Sequence, residues 1–204
     1  MADDIQDLGT EERLTIRPNW ASPNQIELTT SRDIVSFPST VVDIFLFSEL
    51  YKNKIKFKYL CEDKEVEYAL IDFYNSRKGR LERFWIQGYK EEFILSQAIS
   101  NTDTIINIHD NGFDLIYKGH ERLYIELKNG DLITRKITNV AKVGTELQLT
   151  VTAITQDIAM SEVGVFGRIY LVRLDKDVLE TVFNNSTIAE VELDFVEVVR
   201  EYDI

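Results

Sequence analysis

One cysteine, Cys61, stands among 204 residues, so no intramolecular disulfide can staple the fold and a four-thiolate zinc site is excluded. Such cysteine usage points to a reducing compartment. There are two histidines, three prolines and nine glycines, too few of the last two for a collagen-like or low-complexity chain. Apolar runs are short, and none approaches the ~20 residues that a membrane-spanning helix needs. The first residues, MADDIQD, lack the basic flank and apolar core of a secretory signal, and the sequence predicts folding in the cytoplasm. Positive charge is also scarce, at 23 Lys and Arg against 35 Asp and Glu, for a net charge of -12. That balance disfavours tracking along a nucleic-acid backbone and favours a protein or neutral partner.

What is present is an ordinary globular composition, 44% hydrophobic and 28% charged, in a chain long enough for one large or two small domains. Eleven Phe and nine Tyr accompany abundant Ile, Val and Thr, a balance that favours strands. Residues 1–12, with Asp3, Asp4, Asp7, Glu11 and Glu12, read as a flexible acidic arm. From Ile26 to Phe47 the chain predicts two or three strands bounded by Pro23 and Pro38. Val41, Val42, Ile44, Phe45, Leu46 and Phe47 are the densest piece, expected as a central strand buried on both faces.

Lys52, Lys54, Lys56 and Lys58 alternate with Asn53, Ile55, Phe57 and Tyr59, a strand pattern with ammonium groups on one face. Val66, Ala69, Leu70, Phe73, Tyr74 and Arg77 follow helical spacing, with Asp63 as N-cap and Gly79 just past the end, predicting one helix over 63–78. Short strands follow at 84–86 and 93–95. Residues 103–152 then alternate tightly through Ile105, Ile106 and Ile108, Leu115 and Tyr117, Leu123 to Leu127, Ile133 and Ile137, and Leu147 to Val151. With Asn129-Gly130 as a hairpin turn, five strands in this stretch suggest a small β-barrel. Three more strands are expected at 165–174, 178–183 and 188–200.

Catalytic motifs are missing. His109-Asp110 and His120-Glu121 lack metal-ligand spacing, and Asp103, Asp110 and Asp114 do not follow a calcium loop. Cys61 precedes Glu62 and Asp63, whose charge opposes a thiolate. There is no G-x-S-x-G, P-loop or G-x-G-x-x-G. The sequence therefore predicts no enzyme, no catalytic residue, no cofactor and no metal.

Residues 70–85, LIDFYNSRKGRLERFW, resemble a segment of the distal tail or minor tail hub proteins of long-tailed bacteriophages and gene transfer agents. There a helix carrying Phe and Arg leads through x-G-x into an aromatic strand. Trp20 with Pro23, the β region before the helix, the barrel-like 104–151 and the closing LDFVEV at 193–198 are similar in order, over nearly the whole chain. Gln87-Gly88-Tyr89 stands where relatives often carry a Pro-containing turn and a second Trp. The resemblance makes Phe73, Arg77, Gly79, Phe84 and Trp85 the motif's core. It implies a structural virion protein in the viral tail, assembled in the host cytoplasm. Such a protein forms a homo-oligomeric ring, commonly a hexamer, that joins the tail-tube protein to the baseplate, hub or host-recognition proteins.

The expected fold is mainly β: a β-sandwich with one packed α-helix over 13–98 and 154–204, and a small β-barrel inserted at 99–153. Lys52, Lys54, Lys56 and Lys58, with the cationic Arg77, Arg80 and Arg83, are the candidate oligomer interface, since a closing head-to-tail contact needs complementary patches. The alternative is a carbohydrate-binding or adhesin-like β module, for which Trp20, Trp85, Tyr89 and Tyr117 would be the stacking aromatics.

Overall fold

The computed structural model describes residues 4–5, 8, 12–19, 24–29, 32–36, 42–46, 52–183 and 188–198. Trp20, Pro23, Pro38, Val41 and Phe47 lie outside them. The chain is mainly β with one α-helix. It divides into two units, one built from residues 1–13 and 85–170, the other from 14–84 and 171–202.

In the first unit, β7 (Ile105–His109), β8 (Arg122–Leu127), β9 (Leu132–Val143), β10 (Glu146–Val151) and the start of β11 (Val163–Leu174) form an antiparallel set in the order β11, β8, β9, β10, β7, while β1 (Asp4–Ile5) pairs in parallel with β9 and β6 (Phe84–Gln87) pairs with β11. Residues 92–96 close it. The Ser96 N–H donates to Asn107 O at 3.0 Å on β7, and the Phe93 N–H donates to Phe166 O at 3.1 Å on β11. Leu95 also bridges Ile108. The inward residues, among them Phe93, Ile106, Ile108, Leu123, Ile125, Ile133, Leu147, Leu149 and Phe166, make one apolar cluster, as alternation in a small barrel requires. Asn129-Gly130 turns β8 into β9, with Gly130 at φ 93° and the Asp131 N–H donating to Asn129 Oδ1 at 3.0 Å.

Two expectations fail inside this unit. Leu115 and Tyr117 are not strand residues: Phe113–Leu115 is a 3-10 turn, and the Tyr117 hydroxyl donates to Ile137 O at 2.7 Å. The apolar spacing there belongs to a loop that packs Phe113 inward and leaves Leu115 81% exposed. The acidic arm also differs from expectation where it is described. Asp4–Ile5 pairs in parallel with Ile133 and Thr134, and Leu8 is buried.

In the second unit, β2 (Gln25–Thr29), β5 (Lys52–Cys61) and β13 (Ala189–Glu197) are neighbours in that order, and β12 (Glu180–Phe183) and the end of β11 both pair with β13. One face carries Ile55, Phe57, Tyr59 and Cys61 of β5 with Ala189, Val191, Leu193 and Phe195 of β13, all buried. The helix α1 (Lys64–Ser76) packs against β5. Asp63 caps it, accepting from the Val66 N–H at 2.9 Å, as expected of an N-cap aspartate. Leu70 is fully buried, while Phe73 is half-buried and Ala69 exposed.

β3 (Arg32–Ser36) and β4 (Val42–Leu46) form a separate two-stranded sheet. The expected central strand near 41–47 therefore has a single strand partner among the described residues. Apolar density alone does not tell a central strand from half of a hairpin.

Candidate functional site

The lysine ladder is where the alternation places it, on the face of β5 opposite Ile55, Phe57 and Tyr59, with Lys52, Lys56 and Lys58 half-buried and Lys54 exposed. Its counter-charges come from the same chain. Cross-strand register sets Lys58 opposite Glu192 and Lys56 opposite Asp194 on β13. Lys56 Nζ lies 2.5 Å from Glu192 Oε1 and 4.0 Å from Asp194 Oδ1, Lys58 Nζ lies 3.8 Å from Glu192 Oε2, and Lys54 Nζ lies 3.3 Å from Asp175 Oδ2. Lys176 adds a second cation on Asp194 at 2.5 Å. The Glu192 hydrogen bond holds the Lys56 ammonium pKa above its usual value, against the opposing effect of burial. Opposed opposite charges stabilise a sheet by ~0.2–1 kcal/mol per pair, so the ladder has a role inside the fold.

Reversing Lys54 and Lys56 to Glu is expected to lower stability by about 1–2 kcal/mol at low ionic strength. In a urea series the deficit should narrow as salt rises, since these pairs are partly exposed. An unchanged midpoint at low salt would show that the ladder is solvated independently of β13.

The second group surrounds the helix exit. Phe73 meets Phe84 edge to face at 4.9 Å between centroids, and Phe84 meets Phe195 at 5.8 Å. Arg77 caps the C-terminus of α1 and sets its guanidinium 5.4 Å from the Phe73 ring centroid. Lys78 and Gly79 follow with φ 51° and 63°. Gly79 is needed twice over, because a Cβ there would overlap Asp177 Oδ1, which accepts the Arg80 N–H at 2.9 Å. Arg80 is exposed and Arg83 half-buried. Phe84 falls in the second unit and Trp85 in the first. In the first unit, the Trp85 indole N–H donates to Leu8 O at 2.7 Å and the ring lies 5.1 Å from the Arg122 guanidinium carbon. Adjacent residues of one motif thus fall in two units.

Gly79→Ala is expected to cost about 2 kcal/mol, from the left-handed backbone and the displaced Asp177 carboxylate. Asp177→Ala should cost less, and the double variant should cost less than the sum, since it removes the overlap. Additive urea midpoints would show that Asp177 does not hold the turn.

Other sequence candidates are dispersed or enclosed. Trp85 and Tyr89 are buried and Tyr117 is half-buried, so none of these three presents an open face to a sugar. Cys61 is buried, and burial, with Glu67 and Asp63, pushes its thiol pKa up. His109 ends β7 and His120 precedes β8. Asp103 accepts the Ser100 N–H, and Asp110 accepts the Gly112 N–H, so both shape turns. The Lys142 ammonium, then the Gly112 N–H, hold the Asp110 carboxyl pKa below its ordinary value. Among the described residues no group of three or more His, Cys, Asp or Glu could hold a metal, and no helix is long and apolar enough to cross a membrane.

The half-buried pair Arg168 and Glu92 had no sequence signal. Arg168 Nε and Nη2 each donate to a Glu92 carboxylate oxygen at 2.9 Å. The partners lie 76 positions apart, and only closure of the barrel joins them.

No family model matches the chain, and the search of curated proteins found no match.

Proposed function

We propose that the chain is a structural virion protein of a phage tail tip, a distal tail or hub ring subunit linking the tail tube to the baseplate or host-recognition parts. The observation that carries this reading is the motif at 70–85. A helix bearing Phe73 and capped by Arg77 leads through Gly79, at positive φ, to Phe84 and Trp85, which supports the reading. That residues 85–170 fall, along the chain, between two parts of the second unit also supports it. Function then needs no catalytic step: subunits associate by apolar burial and complementary charge. The burial of Trp85 and Tyr89 disfavours the carbohydrate-binding alternative.

The test is the mass of the purified chain by light scattering, alone and mixed with tail-tube protein, with rings sought by electron microscopy. A closed ring or a stable complex with the tube is the expected result. A monomer that ignores tail-tube protein at every concentration would overturn the proposal.

A further inference from the structure

Charge order on the outward face of the second unit changes at β12. From β5 to β13 the rule is cation against anion, Lys58 opposite Glu192 and Lys56 opposite Asp194. At the next strand Glu180 stands directly opposite Glu192, and Val182 opposite Glu190. Like charges opposed on a sheet are unfavourable. Lys56 and Lys58 reach Glu192 from the β5 side. Lys176 feels Glu180 through space, although Asp194 is its main partner. Glu180, Glu190 and Glu192 line one shallow groove with Lys58, Val182 and Val191.

Among the described residues β12 pairs with β13 alone. Val182 is 59% and Phe183 61% exposed. By register, Val182 shares the acidic face with Glu180, whereas Phe183 and Thr181 share the opposite face with Ala189 and Val191. Lys64 Nζ lies 5.1 Å from the Phe183 ring centroid. An added strand would find main-chain groups that no described strand pairs, anions on one face and Thr181 and Phe183 on the other.

We propose that the edge of β12 away from β13, which no described strand pairs, receives an extended segment of a partner protein in which Lys or Arg alternates with apolar residues. The cations would meet Glu180 and Glu190, extending across β12 the alternation already present between β5 and β13. The apolar side chains would lie beside Phe183. β5 is itself such a strand, KNKIKFKYLC, and it is held by the acids of β13 on its other side. The proposal rests on sheet register and charge, independently of the tail-tip reading.

The probe is a fluorescent peptide of about nine residues alternating Lys and Val, long enough for one strand, titrated into the full chain by anisotropy. Saturable binding is expected, with hydrogen-exchange protection at residues 180–183 and none for a peptide carrying Glu in place of Lys. Glu180→Lys with Glu190→Lys should weaken binding roughly tenfold or more at low salt, as loss of complementary charge predicts. Glu180→Gln with Glu190→Gln is the milder variant should the reversal unfold the chain. No binding, binding unaffected in both variants, or protection confined to the β2 edge would each overturn the proposal. Hydrogen exchange showing residues 180–183 already protected in a self-associated chain would overturn it as well.

Discussion

Trp85→Ala is expected to lower the unfolding free energy of the barrel unit by about 3–5 kcal/mol, the cost of truncating a large buried aromatic. The side chain is 1% exposed, so nearly all of its apolar surface would be replaced by a cavity. The variant also orphans the Leu8 carbonyl, which accepts the indole N–H at 2.7 Å, and removes the ring beside Arg122. Trp85→Phe should cost less, keeping an aromatic body while losing the donor. The measurement is hydrogen exchange of the β8 and β9 amides with the urea midpoint, because a chain of two units need not unfold in one step. Unchanged exchange in Trp85→Ala would refute the burial on which the motif reading depends.

Arg168→Ala is expected to cost about 3 kcal/mol, toward the low end for an orphaned buried charge, because the Arg168 and Glu92 side chains retain 18% and 12% of their surface in solvent. Glu92 also accepts the Arg168 backbone N–H at 3.1 Å, so the carboxylate ties residue 92 to β11 at two kinds of donor. Glu92→Ala should therefore be at least as damaging, and Glu92→Gln milder because it keeps an acceptor. Unlike the Lys54 and Lys56 reversal, both losses should persist at high salt, since pairs shielded from solvent are screened little. If raising the ionic strength restored the Arg168→Ala midpoint, the pair would be a surface contact.

Periodicity carried the sequence reading furthest where each element declares itself locally. The spacing of Val66, Leu70, Phe73 and Tyr74 with the Asp63 cap predicted α1 over 63–78, against the observed Lys64–Ser76. Asn129-Gly130 predicted the β8 to β9 turn. Alternation placed the lysines of β5 on one face and Ile55, Phe57 and Tyr59 on the other. It went wrong at Leu115 and Tyr117, where apolar residues in a tight loop imitate a strand, and at 41–47, where a hairpin strand carries the apolar density expected of a central one.

The sequence by itself determined that this protein is mainly β with one helix, which faces of β5 and α1 are apolar, and that a single cysteine must stand unpaired within the chain. These are properties of neighbours one to four residues apart, set by pleat, helical turn and side-chain type. Only the tertiary structure decided that Phe84 and Trp85 belong to different units, that β13 supplies acids to the lysine ladder, that residues 92–96 close the barrel, and that the Asp177 carboxylate lies where a Cβ at 79 would fall. Each depends on which distant strand lies alongside, and many strands of similar composition could have filled that place. Register, which local pattern leaves open, chose among them.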